Sequence, residues 1–181
     1  MKIKTELVRD DLPGLIRPGG TCVELGVGDG AFSEKILQNS FGHILYSIDR
    51  WTGERGHDGV EEGKARQRLR PYPKDASRPL SVVWKDDFEK ALQILWDDRS
   101  QDVPFLDFVY LDGYSDEGNG GLKSLHEWGG LVRPGGIISG NDYDPRFPEN
   151  MKSVDKYIEI NRFPLFLTSE QKNPSWFTFK R

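Results

Sequence analysis

The chain has 181 residues, 36% hydrophobic and 30% charged, a composition that suits a soluble globular protein of about one domain spanning residues 1–181. No apolar run approaches the ~18 residues that span a bilayer, and the N-terminal MKIKTELVRDD has no apolar secretion segment, so a cytoplasmic location without membrane attachment is expected. The net charge of −4 gives no global attraction for nucleic acid, and the one cysteine, Cys22, excludes an internal disulfide and Cys/His metal clusters.

In chain order, residues 1–20 carry an amphipathic pattern, Leu7, Val8, Leu12, Leu15 and Ile16, which predicts a lead-in helix broken near Pro13-Gly14. A strand is predicted over Thr21–Leu25, then glycines at alternate positions, Gly26, Gly28 and Gly30, then a helix over Ala31–Asn39. Glycine permits positive φ and close approach of a ligand to the backbone, and the free N–H groups of the following helix face that ligand. CVELGVGDGAF therefore reads as a cradle for an adenosine cofactor. Further strands are predicted at His43–Ile48, Leu80–Trp84, Phe105–Leu111 and Ile137–Gly140, with helices over Val60–Leu69, Phe88–Trp96, Leu122–Trp128 and Met151–Ile160. Phe105–Leu111 is nearly continuous in apolar residues, as a strand buried on both faces must be. Leu165–Thr168 and Trp176–Lys180 read as a C-terminal antiparallel hairpin.

This alternation predicts a doubly wound α/β fold, a mostly parallel seven-stranded sheet whose last strand is antiparallel. In such sheets ligands bind beyond the carboxyl ends of the strands. Asp49, Asp86, Asp87, Asp112, Asn141 and Asp142 all stand at those ends and define a site. Asp49 follows Gly30 by 19 residues, near the ~20 expected of a carboxylate that accepts from ribose hydroxyls. That spacing leaves NAD and S-adenosylmethionine both open. Between Arg50 and Pro79, eight basic residues stand against five acidic ones. This segment reads either as a solvated helix face or as a basic rim that meets an anionic substrate.

Taken together, VELGVGDGAF, LYSIDRW, WKDDF, LDFVYLDG and LVRPGGIISGNDY resemble the successive motifs of class I S-adenosylmethionine-dependent methyltransferases. Within them the chain resembles the small family with a D-G-x-H-x-Y-E loop and an H-D-Y after the fifth strand. The resemblance covers about residues 20–145 and implies a Rossmann-like methyltransferase fold. It implies that Glu24, Gly26 and Gly28 surround the methionine moiety and that Asp49, with Arg50 beside it, holds the ribose diol. Asp86 or Asp87 would accept from the adenine amino group, with Phe88 at the ring edge and Trp51 on the ring face. Asp112 would face the transferable methyl.

Two positions depart from the family pattern: Ser115 and Asn141 stand where the motifs have histidine, and neither is a base near neutral pH. His43 is expected in a strand and His126 on a helix, which leaves His57, in a loop above the site, and Asp112 as candidate catalytic residues. A metal route is the further option. Catechol-type methyltransferases hold Mg²⁺ at an Asp and an Asp-Asn pair, to which Asp112, Asn141 and Asp142 would correspond with the pair reversed. The acceptor pocket is expected from residues 50–79, residues 113–121 (with glycines that suggest a mobile loop) and Tyr143–Lys152. The function expected is O-methylation of a small-molecule or sugar-like acceptor, which the basic rim would allow to be anionic. The alternatives are a cofactor-binding protein without turnover and an NAD-dependent oxidoreductase.

Overall fold

A computed structural model describes residues 2–39, 44–53, 57–72, 80–98, 104–112 and 119–181. Among them, apolar segments and helical patterns alternate to give strands β1 (Lys2–Lys4), β2 (Thr21–Leu25), β3 (Ile44–Asp49), β4 (Leu80–Lys85), β5 (Leu106–Leu111), β6 (Val132–Gly140), β7 (Leu165–Leu167) and β8 (Trp176–Phe179). The helices are α1 (Ala31–Gln38), α2 (Gly59–Leu69), α3 (Phe88–Asp98), α4 (Asn119–Leu131) and α5 (Pro148–Asn161). All eight strands join one sheet in the order β1-β7-β8-β6-β5-β2-β3-β4. Every neighbouring pair is parallel except those of β8, which runs against both β6 and β7.

The sheet is covered on both faces because its central strands are apolar in both directions. From β5, Phe108 and Tyr110 join a cluster with Leu12, Phe32, Ile36 and Leu69 on the side of α1 and α2. Val109 and Leu111 join Leu95, Leu125, Trp128 and Tyr157 on the side of α3, α4 and α5. Each fully buried side chain of this kind contributes about 1.5–3 kcal/mol. Cys22 is one of them: it is wholly buried, and burial pushes its thiol far above its ordinary pKa, so it acts as packing.

The N-terminal region differs from the expected helix. Lys2–Lys4 is an edge strand parallel to β7, which raises the sheet from seven strands to eight, and Arg9–Leu15 forms a 3₁₀ helix. Pro13, inside that segment, cannot donate an N–H, so a full α-helix is disfavoured there. Leu7 and Ser169 continue the attachment through a backbone hydrogen bond of 2.8 Å. The Arg133-Pro134-Gly135-Gly136 stretch, ahead of the strand expected at Ile137–Gly140, belongs to the first part of β6. It carries a register shift opposite Leu106–Phe108 and a Gly135 φ of +79°.

At the amino end of the sheet, Asp107 is 3% exposed and accepts from Arg17 Nε, from Arg133 Nε and, at 2.8 Å, from the Thr21 N–H. At the carboxyl end the ladder runs one residue past each strand. Gly26 N bonds Ile48 O at 3.0 Å, Asp86 N bonds Asp49 O at 3.2 Å, Asp112 N bonds Leu25 O at 2.8 Å, and Asn141 N bonds Leu111 O at 3.0 Å. These bonds align the strand-end residues along one rim.

Candidate functional site

A cavity of about 340 Å³ opens at this rim, floored by Gly26, Val27 and Gly28 and walled by Arg9, Phe32, His57 and Asp112. Its floor depends on left-handed backbone, φ +83° at Gly26 and +54° at Gly28. A Cβ at Gly30, φ +81°, would lie 3.1 Å from the Ala65 Cα, so glycine there lets α2 pack against the start of α1. The side chain of Asp58 caps α2 through Val60 N at 2.8 Å and Glu61 N at 3.1 Å, which places His57 and Glu61 over the cavity.

Asp49, 4% exposed, holds the floor in shape. Its Oδ2 accepts from Val27 N at 2.8 Å and Gly28 N at 3.0 Å and meets His57 Nδ1 at 2.7 Å, while Oδ1 accepts from Trp51 N at 2.9 Å. Burial would raise its pKa, but the His57 hydrogen bond and the Trp51 and Gly28 N–H groups outweigh it and hold the carboxyl below its ordinary value. His57 is raised in turn, first by its hydrogen bond to Asp49 and against its own desolvation.

Glu24 lies under the floor, 2% exposed, accepting from Ser33 Oγ, which also shares a 2.9 Å hydrogen bond with Ser47 Oγ. Burial pushes its pKa up to about 8, with Asp112 and Asp49 adding and Ser33 and Arg9 opposing. Asp112 is pushed up to about 7, again by burial first, with Asp142 adding; a hydrogen bond from Asn141 Nδ2 to Oδ1 at 3.2 Å, Arg9 and His57 oppose. Two carboxyl groups beside one cavity thus sit poised near neutrality, the condition for a proton acceptor that works at such pH.

The structure brings Glu24, Gly26, Gly28, His57 and Asp112 together around the cavity, with Asp49 directly beneath. The expected adenine contacts lie apart from it. Asp86 accepts from Asp87 N at 3.0 Å and Lys90 Nζ at 3.1 Å, Asp87 is largely exposed with Arg50 Nη1 3.9 Å away, and Phe88 packs on the core at the start of α3. Trp51 corrects the expectation of a ring stacked on adenine. It is 3% exposed, packs with Val27 and Ala65, and donates from Nε1 to Gly28 O at 2.9 Å, so protein covers its ring. His126 is edge-on to Tyr157 on α4, far in role from the cavity. His43 and Ser115 lie outside the described residues, as does most of the 113–121 loop; its last residues, 119–121, open α4.

A hard cation needs converging oxygen ligands. Asn141 turns its amide N–H toward Asp112, and Asp142 is 8% exposed with left-handed backbone at φ +55°. Among the described residues no group of three or more His, Cys, Asp or Glu side chains is placed to hold a metal. The Mg²⁺ expectation on Asp112, Asn141 and Asp142 would need the Asn141 amide to turn its oxygen, in place of its N–H, toward the ion.

The basic rim is also redistributed. Lys64, Arg66 and Arg68 are engaged by Glu61, Glu62 and the pair Asp29 and Glu34. Among the described residues the arginine that lines the cavity is Arg9, whose guanidinium lies 4.9 Å over the Phe32 ring. Sequence reasoning missed Arg9 because its place depends on β1 pairing with β7, 163 residues away in sequence; the Lys2-Ile3-Lys4 alternation was the one local signal.

No family model and no curated protein matches the sequence. Solved structures do match its fold. The precorrin-6y C5,15-methyltransferase of Geobacter metallireducens GS-15 is 14% identical with a TM-score of 0.64, over 94% of this chain and 85% of that one. The O-methyltransferase TomG of Streptomyces achromogenes, solved in complex with SAM, is 17% identical with a TM-score of 0.62, over 96% and 80%. A putative rRNA-methylase of Clostridium thermocellum is 15% identical with a TM-score of 0.62, over 95% of each chain. No helix among the described residues is long and apolar enough to cross a membrane. The sheet order, the reversed β8 and these likenesses together give the chain the α/β Rossmann-like methyltransferase fold.

Proposed function

We propose that the chain is an S-adenosylmethionine-dependent methyltransferase that methylates an oxygen of a small-molecule or sugar-like acceptor. The observation that carries this reading is the cavity itself: a glycine floor in left-handed backbone, with the Asp49 carboxylate under it and Asp112 at its wall. Gly26 and Gly28 would hold the methionyl part against the backbone, Asp49 the ribose, and Asp86, Asp87 and Phe88 the adenine side of the rim. When bound, the cofactor supplies a sulfonium-activated methyl group.

The protein's own work is then to align the acceptor and take its proton. Asp112 suits the second task, because a carboxyl with a pKa of about 7 is both partly ionised at neutral pH and basic enough to accept a hydroxyl proton in the transition state. Asn141 fixes its Oδ1. Arg9 offers positive charge to an acceptor that carries negative charge.

The test is incubation with S-adenosylmethionine and a panel of hydroxylated acceptors, reading S-adenosylhomocysteine, with and without a chelator. Turnover is expected to survive the chelator and to fall by about 10²–10⁴-fold in Asp112→Asn, the range of a lost general base. Calorimetric titration with S-adenosylhomocysteine and NAD runs beside it. Binding of NAD alone sinks the reading; tight binding of S-adenosylhomocysteine without turnover across the panel favours a protein that binds the cofactor and does not use it.

A further inference from the structure

We propose that His57 is a built-in competitor for the ribose seat, so that the cofactor binds only as the imidazole rotates off Asp49. The inference rests on Asp49 being the ribose acceptor, as the proposed function has it.

A carboxylate offers about four acceptor positions. On Asp49, four N–H groups already converge, three of them on Oδ2: Val27 N, Gly28 N and His57 Nδ1. The Val27 and Gly28 N–H groups belong to the backbone that forms the floor and the Trp51 N–H to the backbone two residues past Asp49, so none of them leaves by a side-chain rotation. His57 is the one side chain in the set. Its removal is what would make room for a ribose hydroxyl to donate to Oδ2.

The ring also occupies the space. A Cβ built on Gly28 would find His57 Nε2 at 3.5 Å, Cε1 at 3.7 Å and Cδ2 at 4.0 Å, so the imidazole lies across the glycine whose lack of a side chain otherwise opens the floor to a ligand. The same interaction therefore takes both the hydrogen bond and the volume that a sugar ring needs.

The backbone around His57 is held independently of this contact. Its carbonyl accepts from Gly53 N at 2.7 Å, and the next residue, Asp58, caps α2 through its side chain. Release of the ring is thus a rotation about the side-chain torsions, on the fast scale of a partly exposed side chain, and does not require the segment to refold.

The groups that hold His57 raised are anionic, Asp49 from β3, Asp112 from the end of β5 and Glu61 from α2, while Arg9 is a cation in the wall of the same cavity. The anions favour the imidazolium, and the bond to Asp49 is strongest in that form. Because release returns the ring toward an ordinary titration, cofactor binding expels a proton and is favoured by rising pH in the window between the ordinary value, ~6.5, and the raised one. Asp112 and Glu24 also titrate near neutrality beside the cavity, so the informative quantity is the difference between the wild type and a His57 variant.

The experiment is isothermal titration of the full chain with S-adenosylhomocysteine, for the wild type, His57→Ala, His57→Phe and Asp49→Ala, at pH 6.0, 7.0 and 8.5 as chosen conditions. His57→Ala is expected to bind about five- to thirtyfold more tightly than the wild type, since a competitor that leaves only a fraction of molecules competent lowers apparent affinity by that fraction. The gain is expected to be largest at the lowest pH. His57→Phe keeps a ring over Gly28 without the hydrogen bond and is expected to fall between them. By NMR, the His57 ring of the wild type is expected to titrate lower with S-adenosylhomocysteine bound than without it.

Equal or weaker binding by His57→Ala overturns the proposal. If Asp49→Ala weakens binding while His57→Ala leaves it unchanged, the ribose seat stands and the competitor does not. If Asp49→Ala leaves affinity unaltered, or the wild type and His57→Ala both fail to bind, the cofactor reading fails as well.

Discussion

Replacing Asp49 by asparagine removes a charge, and one of two acceptor oxygens, from a carboxylate on which four N–H groups converge. If the amide oxygen takes the Oδ2 place, the bonds from Val27, Gly28 and His57 persist to a neutral acceptor, and the amide N–H₂ is set against the Trp51 N–H. The opposite orientation keeps Trp51 and loses the other three. The first is therefore the cheaper. It costs about 1.5–3 kcal/mol for the bond lost from a charged acceptor, and a few tenths to about 1 kcal/mol for each bond weakened by loss of charge. The sum is about 2.5–6 kcal/mol, and at roughly 2–4 °C per kcal/mol for a chain of this size the melting midpoint falls on the order of 10 °C.

The pH dependence adds a second reading. The folded pKa of Asp49 is depressed, so its contribution is present above ~3.9 and is lost as pH falls through the lower folded value; that of His57 is raised, so its contribution is present below ~6.5 and is lost as pH rises through the folded value. The gap between wild type and Asp49→Asn should be widest between about pH 4 and pH 6.5 and should narrow on both sides. Urea and thermal unfolding across this range measure it, with Asp29→Asn, at a more exposed carboxylate, as the control. A midpoint within about 2 °C of wild type near pH 6 would refute the account of Asp49 as the brace of the glycine floor.

Asp107→Ala should destabilise by about 1.5–3 kcal/mol, because the Thr21 N–H and the partly exposed Arg17 and Arg133 lose the charged acceptor they share; urea titration checks it. The depressed pKa of Asp107 further predicts that the wild-type advantage is lost as pH falls below about 4. Glu24→Gln keeps an acceptor for Ser33 and cannot ionise. Since the folded pKa of Glu24 is raised to about 8, the variant should gain on the wild type from about pH 4.5 upward and level off above pH 8, seen by unfolding at three pH values. Gly30→Ala combines a φ of +81° with a Cβ 3.1 Å from the Ala65 backbone, and should cost about 1–3 kcal/mol in thermal melts while weakening S-adenosylhomocysteine binding.

Local pattern revealed the parts of the fold that local chemistry decides. Thr21–Leu25 is observed where periodicity put it, and the strand-end positions of Asp49 and Asp112 follow from strands with clear apolar runs. β1 was illegible because three residues carry little pattern and its pairing partner is distant. Arg9 was hidden for the same reason, since nothing near it in sequence announces a cavity. Trp51 was ambiguous by nature: an aromatic beside a ligand loop can cover a ligand or the loop itself, and the positive φ of 44° that turns it under Gly28 is a tertiary outcome. His57 was recognisable as lying above the site, yet its bond to Asp49 could be seen only once α2 was docked through Gly30.

The pairing of β1 with β7 also bears on the order in which the molecule comes together. Thr5 bonds Leu167 across 162 residues, and Arg9 is carried to the cavity by that attachment and by its own N–H on Glu170. The glycine floor and Asp49 can meet as soon as β2 and β3 pair, whereas the cationic wall must wait for one of the longest loop closures in the chain. Early in folding, or on a ribosome before residues 165–170 have emerged, the cradle would exist with one side missing. The chain would gain its anionic surroundings first and the positive charge that balances them last.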